Sequence, residues 1–573
     1  MIRSKSIWNK DQSPQYWVAE YPECSAYEHM RKNAQRYLHL TAINFEGRKY
    51  TYSQMVNIVE RTAKALLKLG IGKGDVVSII SPNTPQAVFM VYAVNRIGAI
   101  ANMLHPMLSA TELQHLVETT NSAAVLLLDA IYPKLKNVKW QTDRKPKMIL
   151  LRIVDALPWY AAPVYGAKNK VSLSFHPEHD VIYWNEFLGL ASKSDILPED
   201  QGKGDDTAVI LYSGGTSGAP KGVMLSNRNL NALAVQTYDI GGIDEVVGKK
   251  SLAVMPIFHG FGLVVCVHAM LCLGFQVFLV PKYDFRACSE LIIRKKINCV
   301  YGVPGLYEAL IRCPRIDEEN LSFMNLLVCG GDKLPEKLQK RVNAKLQKGG
   351  ASIVLREAYG QTECVAGCAL NPKFDTRIGS AGIAYPDMHF KIVTPGTQDE
   401  LPSGQPGELC VSGPTVMRGY FQAPEDTKKA LQIHEDGKCW LHTGDVFSMD
   451  PDGYIYFCRR NSRMLICGGY NVYASQLEET INSCPAVAQS CVVGIQDRLL
   501  GQRICACIVP NNPSADPSVV KKQVQEYCGE KLAAYAMPRE IRIYEKLPMT
   551  NLGKVDYLYL EQELNQKRSN EHA

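Results

Sequence analysis

One short segment limits what this chain can fold into. It reads Tyr212-Ser213-Gly214-Gly215-Thr216-Ser217-Gly218-Ala219-Pro220-Lys221-Gly222 and follows the apolar run Ala208 to Leu211. Behind it, Ser226 to Val235 has a capping start and helical apolar spacing. The pattern predicts a loop held tightly between a buried strand and a helix. Gly214, Gly215, Gly218 and Gly222 let the backbone approach a ligand closely. Ser213, Thr216 and Ser217 add hydroxyls, and Lys221 adds a positive charge. Donors of this kind on one segment suit phosphate oxygens. A flexible linker has a similar composition, but linkers seldom sit between a strand and a helix.

The loop differs from the Walker pattern G-x-x-x-x-G-K-[ST]. Pro220 precedes Lys221 and Gly222 follows it, so no hydroxyl sits beside the lysine to hold magnesium. The segment resembles instead the signature loop of the adenylate-forming superfamily, which includes acyl- and aryl-CoA synthetases, coumarate-type ligases, luciferases and nonribosomal adenylation domains. The resemblance implies that this loop holds the β- and γ-phosphates of ATP. It extends over residues 40–560, with the motifs in the family's order.

The 573 residues suffice for several domains, and a hydrophobic content of 46% supplies large cores. A net charge of +6 with no dense Lys/Arg block argues against nucleic acid as a partner. Of the eighteen cysteines, many lie in apolar runs, and no paired C-x₂-C spacing occurs. Reduced buried thiols in a cytoplasmic protein fit this usage. Met1 to Gln12 is polar, unlike a secretion signal. Gly262 to Pro281 is apolar, but His268, Gly274 and Gln276 interrupt it, so a core element is expected and no transmembrane segment. Peripheral membrane contact stays open.

From Ala42 to Asp129 and again after 207, strand-like and helix-like runs alternate, which predicts doubly wound parallel sheets. Residues 131–206 break the rhythm and read as a surface excursion. Short strands with Pro/Gly turns over 379–458 read as a small β-barrel or sheet. The expected fold class is α/β. A large N-terminal domain (residues 1–461) would hold two αβα subdomains plus the β subdomain. A mobile α+β domain (residues 462–573) would follow.

Further motifs carry the chemistry. Phe258-His259-Gly260 closes a strand and opens a helix, where open sheets place ligands; His259 is a candidate catalytic group, a helix cap its plain alternative. Phe258, His259, Tyr301, Val303 and Gly331 would line an apolar acyl pocket. The segment lacks the aspartate with which amino-acid-activating relatives hold an α-amino group. Gly331-Asp332 resembles the family's adenine-site turn, and a plain strand–helix turn explains it nearly as well. In Tyr359-Gly360-Gln361-Thr362-Glu363, Tyr359 can stack on adenine, Thr362 can bond phosphate, and Glu363 can hold Mg²⁺.

By the same resemblance Asp445 accepts the ribose hydroxyls, a task suited to a carboxylate, and Arg460 touches ribose and phosphate. Ser462 stands at the hinge, where relatives often place Asp or Lys. Gly468, Gly469 and Tyr470 would line the pantetheine passage, an ordinary turn being the alternative. Lys554 would reach the α-phosphate and the attacking carboxylate. The implied reaction joins a carboxylic acid to ATP, giving acyl-AMP and pyrophosphate, and then to coenzyme A. A fatty acid is the expected substrate. An aryl acid and a carrier-protein acceptor are the alternatives. Thr216, Glu363, His259 and Lys554 are the expected catalytic set, with ATP, Mg²⁺ and coenzyme A as cofactors.

Overall fold

A computed structural model of the chain describes residues 20–142, 144–169, 181–200, 202–213, 220–243, 245–282, 284–460, 464–467, 470–497, 501–532, 536–550 and 554–571. It divides into two compact units. One takes residues 1–391, 410–442 and 450–456, and the other takes residues 392–409, 443–449 and 457–573.

The first unit is built on two large sheets. The strand order of the eight-stranded sheet is Gly419–Tyr420, Lys221–Ser226, Thr207–Ser213, Ile100–Leu104, Val76–Ile80, Ala124–Leu128, Lys147–Leu151 and Val181–Tyr183. Its first two pairings are antiparallel and the others parallel. Helices cross between its parallel strands, and their starts are written in the sequence. Thr84 accepts from the amide of Ala87 and precedes Pro85 at the first helical position, where a missing N–H costs nothing. Ser109 and Glu112 form a reciprocal capping box.

The nine-stranded sheet runs Ile383–Ala384, Ala369–Leu370, Leu355–Tyr359, Leu326–Cys329, Cys299–Gly302, Lys250–Ala253, Gln276–Leu279, Thr41–Phe45 and Arg48–Thr51. Its central strands are parallel. Leu252, Val300, Leu327 and Leu355 stand in one row across four strands and pack with Ile292, Leu306 and Val342 in an aliphatic core.

Three features differ from the sequence reading. The glycine-rich segment joins two antiparallel strands, Thr207–Ser213 and Lys221–Ser226, and the helix Asn227–Gly241 begins only afterwards, capped by Ser226. Lys221 therefore opens a strand. Residues 131–206 are more than a covering excursion, because Lys147–Leu151 and Val181–Tyr183 extend the first sheet. The hairpin Thr41–Thr51 belongs to the second sheet, beside Gln276–Leu279.

Between residues 389 and 460 the chain forms five strands of a small sheet, in which Leu431–Ile433 and Cys439–Met449 are antiparallel. Beyond it, the strands Met464–Cys467, Tyr470–Tyr473, Val487–Asp497, Gly501–Pro510 and Glu540–Ile543 form a second small sheet, antiparallel except that Glu540–Ile543 runs parallel to Gly501–Pro510. It is accompanied by the helices Ala474–Asn482, Pro517–Gly529 and Tyr557–Glu571. Among the described residues no helix is long and apolar enough to cross a membrane.

Candidate active site

Lys221 and Glu363, far apart in sequence, meet the same tyrosine. The short strand Gly419–Tyr420 pairs with Lys221–Ser226, setting Tyr420 opposite Val223. The Tyr420 hydroxyl donates to Glu363 Oε1 at 3.0 Å, and Lys221 Nζ lies 5.2 Å from the centre of the Tyr420 ring. Burial, and then the charge of Glu363, push the Tyr420 phenol well above its ordinary range. The phenol therefore stays protonated and donates. Glu363 is 9% exposed and sits in a 3₁₀ turn, Thr362–Cys364; the amide of Met417 holds its backbone carbonyl at 2.8 Å.

A carboxylate can accept about four hydrogen bonds, and Tyr420 takes one. A hard oxygen donor of this kind, in one cluster with a lysine, fits a magnesium ion shared with phosphate oxygens. Lys221 Nζ is 3.1 Å from Asp426, both side chains being partly exposed. A pair of this exposure is worth at most about 1 kcal/mol, so a phosphate can displace it. Asp426→Asn is expected to tighten ATP binding about two- to fivefold, read by calorimetric titration. Unchanged or weaker binding would mean that Asp426 orients Lys221 instead of competing for it.

Asn83 fixes the segment that carries Phe258 and His259. Its amide nitrogen donates to the carbonyls of Ala253 (2.9 Å) and Met255 (3.0 Å), and its oxygen accepts from the amide of Ile257 at 2.9 Å. The segment leading to Phe258 and His259 is thereby tied to the end of the strand Val76–Ile80. The Phe258 ring packs on His105 at 4.3 Å and on His259 at 4.9 Å between centres. The next nine residues, Phe261–Ala269, wind as a π-helix, a form concentrated at functional sites. Tyr301 is 5% exposed at the end of its strand, Val303 precedes the helix Pro304–Arg312, and Gly331 stands at φ +79° with Val303 beside it.

Tyr359 ends the strand Leu355–Tyr359. Glu357 Oε1 accepts from the amide of Leu334 at 3.1 Å, which ties the turn holding Gly331 and Asp332 to this strand. Burial pushes the Glu357 carboxyl up to about 7. After Gly360 and Gln361 come the turn bearing Glu363 and then Val365, at φ +66° and ψ −60°. There the amide of Ala366 donates to the carbonyl of Cys364 at 2.8 Å, so Val365 is the centre of a strained γ-turn.

In the second unit, Asp445 is 2% exposed. Thr443 Oγ1 donates to the carbonyl of Leu409 at 2.7 Å and accepts from the amide of Asp445 at 3.2 Å, while the amide of Gly444 donates to Glu408 Oε1 at 3.0 Å. Lys554 is exposed. Ser213 ends its strand. Gly214, Gly215, Thr216, Ser217, Gly218, Ser462, Gly468 and Gly469 lie outside the described residues, as do the side chains of Arg460 and Tyr470.

The sequence reading missed Asn83, His105, Tyr420 and Asp426. Asn83 follows a strand immediately before a capped helix, a place that could have marked it. Tyr420 and Asp426 gave no local signal.

The chain matches the family model described as AMP-binding enzyme over residues 30–421, and the AMP-binding enzyme C-terminal domain over residues 476–554. It is 30% identical over 570 residues to a long-chain-fatty-acid–CoA ligase of Bacillus subtilis, covering 95% of this chain and 97% of that one. It is 28% identical over 552 residues to a probable 4-coumarate–CoA ligase 3 of Dictyostelium discoideum, covering 94% and 96%. Among solved structures it is similar to ATP-bound MatB from Rhodopseudomonas palustris. The TM-score there is 0.77 at 25% identity, over 95% of this chain and 99% of that one.

Proposed function

The chain belongs to the AMP-binding enzyme family and is an ATP-dependent, AMP-forming ligase that joins a carboxylic acid to coenzyme A; from that premise we propose that the acid is a fatty acid. Two things support this reading. The stretches expected to line the pocket are apolar, and the Bacillus subtilis relative is named for long-chain fatty acids.

In this proposal Gly214–Gly218 and Lys221 hold the triphosphate, Tyr359 stacks on adenine, and Asp445 and Arg460 hold the ribose. Glu363 is the residue that would hold magnesium, which when bound shares the phosphate charge. Its carboxylate, fixed by Tyr420, is the observation that carries the assignment. His259 and Phe258 shape the approach of the acid. Residues 1–461 act as the adenylating domain, and residues 462–573 bring in Lys554 for the first step and Gly468, Gly469 and Tyr470 for the second. The chemistry asks little of acid–base groups; positioning and charge neutralisation carry it.

The test is acid-dependent pyrophosphate exchange, followed by thioester formation with coenzyme A, over straight-chain acids of graded length and a set of aryl acids. Exchange that rises with chain length is expected. Exchange with aryl acids alone would replace the fatty-acid reading, and thioester formation only on a carrier protein would replace coenzyme A as acceptor.

A further inference from the structure

The strand that ends in Tyr359 carries an arginine into the interior. Arg356 is 3% exposed. Parallel register places Tyr301 beside Val328 and Val328 beside Arg356, and side chains at one level of neighbouring strands share a face. The adjacent row, Val300, Leu327 and Leu355, faces the aliphatic core, so the Tyr301–Val328–Arg356 row faces the other way. There Arg356 Nη2 donates to the carbonyls of Ile240 (3.1 Å) and Gly241 (3.2 Å), at the end of the helix Asn227–Gly241.

Only part of the guanidinium is answered. Nη1 is buried and has no hydrogen-bond partner among the described residues. The titratable groups bearing on the charge are Tyr301, Tyr385 and Cys299. Burial pushes the Tyr301 and Tyr385 phenols far up and the Cys299 thiol up to about 12, so all three are neutral near pH 7. No carboxylate among the described residues pairs with Arg356. Burial lowers the arginine only to about 10, leaving it charged. The negative end of the helix offsets some of this cost. A buried donor without a partner still costs on the order of 1–3 kcal/mol, and such groups in native structures have a reason.

We propose that Arg356 is a far-end subsite for the acid, receiving a second carboxylate, so that the preferred substrate is an α,ω-dicarboxylic acid with a fatty chain. This rests on the reading that the acid lies along the Tyr301 face of the nine-stranded sheet. Arg356 stands three residues, about 10 Å, before the end of its strand, the edge at which open sheets place ligands, which suits a diacid of medium length. One carboxylate reacts with ATP while the other accepts from Nη1, an ionised pair that is among the stronger hydrogen bonds.

The experiment uses the full-length enzyme in pyrophosphate exchange, with straight-chain monocarboxylic and α,ω-dicarboxylic acids of matched length. The wild type is expected to use the best diacid roughly ten- to a hundredfold better in kcat/KM than its monoacid partner. Arg356→Met should lose the diacid by that factor and keep the monoacid, with Arg356→Lys between them. The proposal is overturned if the wild type favours the monoacid at every length, or if Arg356→Met lowers both acids equally. Should Arg356→Met not fold, the wild-type comparison decides. Absence of exchange with every acid would remove the ligase reading and this proposal with it, whereas exchange with monoacids alone removes only this proposal.

Discussion

Lys554→Ala is expected to slow acyl-AMP formation about a hundred- to a thousandfold, the usual cost of losing one preorganised group that meets developing charge. Thioester formation from supplied acyl-AMP should be largely spared. The backbone around the lysine is held independently of its side chain. The amide of Thr550 donates to the Lys554 carbonyl at 2.6 Å, the amide of Lys554 donates to Thr550 Oγ1 at 3.2 Å, and Met549 bridges Val555. Alanine keeps all of these bonds. Lys554 is exposed, so its truncation leaves no buried cavity, and a denaturant midpoint measured beside the kinetics separates any loss of stability from loss of chemistry. The loss then reads as chemistry. Negative charge builds on the α-phosphate as the carboxylate attacks, and a single cation shared by both reactants stabilises the transition state more than either ground state. Single-turnover measurement of the two half-reactions separates the outcomes. Equal loss in both would contradict the assignment, and so would a normal adenylation rate.

How far the sequence could be read depended on distance along the chain. Motifs that act through adjacent residues were legible. The Thr443–Gly444–Asp445 step is one, since its threonine bonds the aspartate's own amide. The run Tyr359 to Glu363 is another, at the end of a strand that is buried on both faces where it starts. Alternation of strand and helix gave the fold class but not sheet membership: the alternating stretch from Ala42 reads as one sheet, yet its opening hairpin Thr41–Thr51 pairs in the other. Lys147–Leu151 is apolar enough to have been recognised as a strand, but lysines and prolines around it obscured the period. The π-winding of Phe261–Ala269 leaves no trace in composition, because its buried positions, His268 apart, are as apolar as those of a buried α-helix. Tyr420 and Arg356 became meaningful only through register. One is brought to Glu363 by a two-residue strand, and the other is placed beside Tyr301 through Val328. Arg356 was further hidden by lying next to a motif read for its other residues.

Gly360→Ala should be among the most damaging single-methyl changes in the first unit's candidate site. A Cβ on Gly360 would fall on the carbonyl oxygen of Ala366, and one on Gly260 would fall on the carbonyl oxygen of Val365. Two glycines from separate motifs thus grip one peptide segment from different sides, and their obstacle is backbone, which cannot rotate away as a side chain can. The gripped segment is the γ-turn at Val365, whose positive φ on a β-branched residue stores roughly 1–3 kcal/mol and persists only because its surroundings hold it. Glu363 lies two residues upstream, with its carbonyl pinned by Met417 and its carboxylate by Tyr420. Pushing the segment aside therefore costs packing and also moves the Glu363 carboxylate, which we propose to hold magnesium. The expected loss is about 3 kcal/mol or more, seen as a lower denaturant midpoint, together with weakened Mg·ATP binding. Gly72→Ala is the control. Its Cβ would meet nothing within 4 Å, so its effect should stay within about 0.5 kcal/mol. If Gly360→Ala proves as stable as that control and binds nucleotide normally, the two glycines do not hold the turn, and the strain at Val365 must be balanced by its own buried side chain instead.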